Sequence, residues 1–169
     1  MSNTLADYVT NATIRGLLGV SEDEVEEADF TALAEGHLLA VEMALEGINE
    51  DVPTLFETIK DIAAPSRTLL QQRFYSVVRL YSNYVIALDI AKGSVEMFAP
   101  IRLSDGKAEQ ERKDPYEALR AALQAGLQLW TTRLGTALQR LDSTKVPTAK
   151  TVVTYAGAVA LGTDPVTGA

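Results

Sequence analysis

The chain has no cysteine. That excludes a disulfide framework, a thiolate metal site and a cysteine nucleophile, and it leaves the redox compartment open. Histidine occurs once, at His37, so any hydroxyl nucleophile would have a single imidazole as its base. Gly-x-Ser-x-Gly turns, Walker-type Gly-x-x-x-x-Gly-Lys-Ser loops and Gly-x-Gly-x-x-Gly fingerprints are all missing. Ser104-Asp105-Gly106-Lys107 lacks the alternating carboxylates of a calcium loop. Glu35 precedes His37 by two positions, which sends the side chains to different faces of a helix, and Glu42 and Glu46 share a face without a partner motif. The expectation is a protein that is not an enzyme, with no catalytic residues, no metal site and no cofactor.

Long apolar runs are also lacking, and none approaches the roughly 20 residues that span a bilayer. The opening MSNTLADYVTNA has neither a basic n-region nor an apolar h-region. These features predict a soluble intracellular product of one domain with an appendage.

Positive charge is scarce at the start and any charge is scarce at the end. Residues 1–61 carry 14 acidic and 2 basic side chains, residues 62–142 carry 8 acidic and 11 basic, and the net charge is −8. An acidic half and a basic half suit head-to-tail contact between copies, because complementary patches favour one register. The overall acidity argues against tight binding to a phosphate backbone. From Thr144 to Ala169 the charged side chains are Lys145, Lys150 and Asp164. Val152, Val153, Val159, Val166 and the threonines there are β-branched and favour extended backbone.

What is present is helical periodicity. Residues 11–18 form a helix with Thr10 as N-cap and Gly19 just past the end. Ser21-Glu22-Asp23-Glu24 has capping-box spacing. A helix over 30–48 places Leu33, His37 or Leu38, Val41, Leu45 and Ile48 on one side, and Pro53 opens a short segment around 54–62. Two long helices follow. Residues 65–92 repeat Leu70, Phe74, Val77, Tyr81, Val85 and Leu88, and residues 115–142 repeat Leu119, Leu123, Leu127, Trp130, Leu134, Leu138 and Leu141. Asp114 and Pro115 mark the second start. Each helix is about 42 Å long at 1.5 Å per residue, and the two should pack antiparallel. Gly126 and Gly135 inside the second cost about 1 kcal/mol each relative to alanine, which points to a close backbone approach. The predicted fold is all-α, a bundle built on this antiparallel pair, with a helical domain over 1–142.

Between the long helices, residues 93–114 make a connection far longer than a helical domain requires. Gly93 reads as a helix C-cap, and Ser104 to Lys107 as a turn. A loop arm is expected, with contact residues Val95, Met97, Phe98, Ile101, Leu103, Asp105 and Lys107. Residues 143–169 read as an extended assembly arm that pairs with a partner protein or a neighbouring copy through Thr151, Val152, Val153, Thr154, Tyr155, Val159 and Leu161.

Asp7-Tyr8-Val9-Thr10, then Ile14-Arg15-Gly16-Leu17-Leu18-Gly19-Val20-Ser21 with Glu24-Val25, resembles the start of tailed-bacteriophage head–tail connector (adaptor, or head-completion) proteins. Arg73-Phe74-Tyr75, Val78-Arg79-Leu80-Tyr81 and Tyr84 are similar to the central helix of that family. Phe98-Ala99-Pro100, Ser104-Asp105-Gly106-Lys107 and Asp114-Pro115-Tyr116 resemble the loop and restart that follow. The resemblance covers about residues 7–142. It implies a structural virion protein of the phage neck, made in the host cytoplasm, forming a ring commonly of twelve copies beneath the portal protein. Its partners would be the portal, neighbouring copies, and a tail, stopper or tail-terminator protein, with double-stranded DNA passing through the channel without specific binding and with no membrane. The residues alone also suit a small helical interaction or regulatory module that binds a partner through its exposed arm.

Overall fold

The computed structural model describes residues 4–97, 117–145 and 147, with the side chains of 94–97 set aside. Among the described residues the chain is all-helical. Its elements are α1 (Leu5–Tyr8), α2 (Asn11–Leu18), α3 (Glu27–Glu35), α4 (Leu38–Ile48), α5 (Val52–Lys60), a 3-10 turn (Ala64–Ser66), α6 (Leu69–Met97) and α7 (Glu117–Leu141).

Local chemistry sets most of the boundaries. Thr4 and Asp7 close a capping box on α1, with the Thr4 amide 2.8 Å from Asp7 Oδ2. Gly19 ends α2 in the left-handed region at φ 71°, where a Cβ would be strained. Ser21 and Glu24 pair as their spacing predicts, at 2.7 Å, but they cap a turn, and the helix after them begins at Glu27. The helix expected over 30–48 is two helices, because the chain turns at Gly36 and His37. His37 Nδ1 lies 2.6 Å from Asp89 Oδ2 on α6, so this turn is tied to the body of the molecule.

Both ends of α6 differ from the sequence reading. Pro65 lies in the 3-10 turn. The helix starts after Thr68, whose amide and hydroxyl exchange hydrogen bonds with the side chain and amide of Gln71 at 2.8 and 3.3 Å. At the other end Gly93 does not cap. Among the described residues Gly19 alone has positive φ, so the backbone stays right-handed through Gly93 and the helix runs on to Met97. Val95 and Met97 therefore belong to the last turns of α6, not to a loop arm.

Helix α6 is the axis of the molecule and packs against α1, α2, α4, α5 and α7. That is why the single stripe read from its sequence is incomplete. Phe74, Val77, Tyr81 and Leu88 are buried as expected, Val85 is half-buried and Leu70 is exposed. A second row, Val78, Ser82, Ile86 and Ile90, advances by fours and is buried too. On α7, Leu123, Leu134 and Leu138 are buried, whereas Leu119, Leu127, Trp130 and Leu141 are half-buried at the margin. Trp130 is covered by the Arg133 guanidinium, 4.6 Å from its ring centre.

Candidate interaction surfaces

Four arginines, from buried Arg15 to exposed Arg133, fasten parts of the body together. Arg15 is 5% exposed. It donates to the carbonyls of Ser21 at 3.1 Å and Val25 at 2.8 Å, reaches Glu27 Oε2 at 3.3 Å, and lies 4.2 Å above the Phe30 ring. It thus holds the acidic loop after α2 against α3. Arg67 donates to the carbonyls of Ile59, Lys60 and Ile62 at 2.8 to 2.9 Å, satisfying acceptors that the end of α5 leaves open. Its plane extends a stack of rings: Tyr8 on Phe56 at 4.8 Å, Phe56 on Tyr75 at 5.1 Å, and Arg67 over Tyr75 at 4.2 Å. Arg79 Nη2 reaches the Val9 carbonyl at 3.5 Å, while its buried Nε has no hydrogen-bond partner among the described residues. Arg133 shields Trp130.

The titratable groups that depart from ordinary behaviour do so for local reasons. Asp7 is held below its usual value chiefly by the Thr4 amide, then by the Thr4 hydroxyl and the Lys60 ammonium at 3.2 Å, with partial burial opposing. Glu24 is lowered by the Ser21 amide and hydroxyl, and Glu27 by the Asn11 amide and then Arg15. Burial pushes the Tyr81 phenol up to about 12, and its hydroxyl donates to the Ala44 carbonyl at 3.3 Å. Lys145 is raised by its contact with Asp51, which pins the chain beyond α7 to the start of α5. His37 is engaged with Asp89, and among the described residues no group of three or more acidic or histidine side chains is arranged to hold a metal. No helix among them is long and apolar enough to cross a membrane.

Two surfaces can receive something. The first is acidic: Glu22, Asp23, Glu26, Glu27, Asp29, Glu35, Glu46 and Glu50 are exposed along the loop before α3, on α3, on α4 and in the turn after it, and Leu33, Leu39 and Met43 on the same two helices are exposed as well. The opposite charge is on α6 and α7, where Arg73, Lys92, Arg133 and Arg140 are exposed. The second surface is a groove of about 650 Å³ between α4, α6 and α7. Small residues make room for it: Ala40, Ala44 and Gly47 on one wall, Thr131, Thr132 and Gly135 on the other, with Val85 and Leu88 among the α6 side chains that line it. The row Ala40, Ala44, Gly47 recurs every three or four residues on one side of α4, a signal legible in the sequence but absent from the apolar stripes.

Of the residues expected to make contacts, Val95 and Met97 lie on α6. Phe98, Ile101, Leu103, Asp105 and Lys107 of the loop, and Thr151, Val152, Val153, Thr154, Tyr155, Val159 and Leu161 of the terminal segment, lie outside the described residues. The close approach expected at Gly126 is present: a Cβ there would sit 2.1 Å from the Tyr84 ring. At Gly135 it would meet Pro147 at 3.2 Å. The chain matches no protein-family model, no curated protein and no solved structure.

Proposed function

We propose that this chain is a head-to-tail connector of a tailed bacteriophage, a structural protein that forms a ring under the portal and joins the DNA-filled capsid to the tail. The observation that carries the reading is the ordered series of resemblances from Asp7 to Tyr116. Its first two segments fall on residues that hold the body together: Asp7, Tyr8 and Arg15 at the start, and Phe74, Tyr75, Arg79 and Tyr81 on α6. We read α6 and α7 as the antiparallel pair that such a protomer requires, since Tyr84 meets Gly126 while Tyr81 meets Thr131. The separation of exposed acidic side chains on α3 and α4 from basic ones on α6 and α7 supports heterologous contacts that close into a ring. Residues 98–114 and 143–169 supply the arms toward the portal, the neighbouring copies and the tail or stopper protein. The acidic balance lets DNA pass without being held.

The test is electron microscopy of the purified chain alone and mixed with a portal protein. Closed rings, stacked coaxially on the portal, are the expected outcome. A monomer or dimer that binds a partner protein without forming rings would favour a regulatory module instead.

A further inference from the structure

We infer that the groove between α4, α6 and α7 is the seat of this chain's own C-terminal segment, with residues 148–153 lying along it. The direction of the chain leads there. After α7 ends at Leu141, Asp142 accepts hydrogen bonds from the amide and hydroxyl of Thr144 at 3.0 and 2.7 Å, which turns the backbone. Lys145 is then fixed to Asp51, and Pro147 lies against Gly135, lining the groove. Gly135 is six residues before the end of α7, so the chain has doubled back by about 9 Å along that helix. From Gly135 to Leu127, the farthest α7 residue of the groove, is a further rise of about 12 Å, which about four extended residues cover.

The segment that follows Pro147 is Thr148-Ala149-Lys150-Thr151-Val152-Val153. Small and β-branched side chains suit a channel where alanine, glycine and threonine alternate with Ile48 and Leu127 along the walls. The valines bring apolar surface to Val85 and Leu88. Because Pro147 is already held at the mouth, the next residues meet the groove at the high effective concentration of a tethered ligand, which favours the chain's own segment over a second copy's. This inference goes beyond the connector reading and does not need it. In a ring the seated residues would be the root of the arm, with Thr154 to Ala169 left to reach a partner.

The cysteine-free sequence allows a direct test in the full-length chain. Thr132→Cys on the groove wall is paired in turn with Ala149→Cys, Thr151→Cys and Val153→Cys. Ala32→Cys, exposed on α3, which contributes nothing to the groove lining, serves as the control partner. Oxidation should close at least one Thr132 pair within a single chain at least about tenfold faster than any Ala32 pair. Equal rates, or closure only between chains, would overturn the inference. A second measurement uses Gly47→Trp. A Cβ at Gly47 has nothing within 4 Å and the residue lines the groove, so the indole fills the channel without disturbing the core. Amides of residues 148–153 should exchange at least about tenfold faster in that variant than in the unaltered chain, at an unchanged melting temperature. Identical exchange in the two proteins would sink the idea. Neither experiment involves a portal, so the result stands apart from the ring test.

Discussion

Arg15 shows how much one buried side chain can carry. Its guanidinium serves two backbone carbonyls, a carboxylate and an aromatic face at once, and lysine offers a point charge without the planar fork. Arg15→Lys should lower stability by about 1–3 kcal/mol, because the Ser21 and Val25 carbonyls lose their donors. Urea melts compare it with Arg140→Lys, an exposed control expected to stay within about 0.5 kcal/mol. Asp7 makes a prediction in pH. Its folded value lies below the ordinary 3.8, so its stabilising effect is complete above that value and is lost as the pH falls through the lower folded one. Asp7→Asn should therefore narrow the gap between the melting temperatures at about pH 5 and about pH 3. A variant as acid-sensitive as the parent would mean that Asp7 titrates alike in both states. Arg15 and Asp7 can both be picked out of the sequence as members of motifs. Their roles could not, since the partners Val25 and Lys60 are 10 and 53 positions away.

At the level of elements, the contact between α6 and α7 turns on one missing side chain. Gly126 admits the Tyr84 ring to within 2.1 Å of where a Cβ would be, a distance no real Cβ tolerates. Gly126→Ala gains about 1 kcal/mol in helix propensity but must move the ring and the helix facing it. The net effect should be destabilising. In a Tyr84→Ala background the same substitution should turn stabilising, and a double-mutant cycle by thermal melting reads the coupling. Helix propensity and glycine position made this approach legible in the sequence. The start of α6 was legible as well, in Thr68-x-x-Gln71, although Pro65 is the louder signal and misplaces it. The break at Gly36 and His37 was not, because the apolar period continues through it and its tie is to Asp89, 52 positions on.

For the whole molecule, the distribution of burial predicts what the C-terminal segment does. Among the described residues the last buried core side chain is Leu138. A chain ending at Asp142 should keep its helical circular dichroism, and its melting temperature should fall by about 4 °C for each kcal/mol lost with the Lys145–Asp51 and Pro147–Gly135 contacts and the groove's occupant. It should fail to join heads to tails if residues 143–169 are the assembly arm. Normal joining by the shortened chain would make that segment dispensable. The separation of charge predicts a salt effect on self-association. Attraction between complementary acidic and basic faces weakens as the Debye length shrinks from about 10 Å at 0.1 M to about 3 Å at 1 M, so any self-association through them should decline over that range, as followed by sedimentation.

Periodicity and end signals in the sequence determine that the chain is helical, where α2 stops, which side of α7 faces inward and that α6 and α7 meet closely at Gly126. The first three rest on residues within a few turns of one another; the fourth was signalled only by the cost of a glycine inside a helix, and its partner Tyr84 is 42 positions away. Only the tertiary structure decides that α6 is buried on two sides, because the second row of Val78, Ser82, Ile86 and Ile90 is a weak stripe until helices from the first third of the chain close over it. It alone stacks Tyr8, Phe56, Tyr75 and Arg67, which come from four separate segments. It alone sets the small residues of α4 opposite those of α7 to leave a groove, and turns Pro147 back into it. Such features depend on which distant segments become neighbours, and no local pattern records that choice.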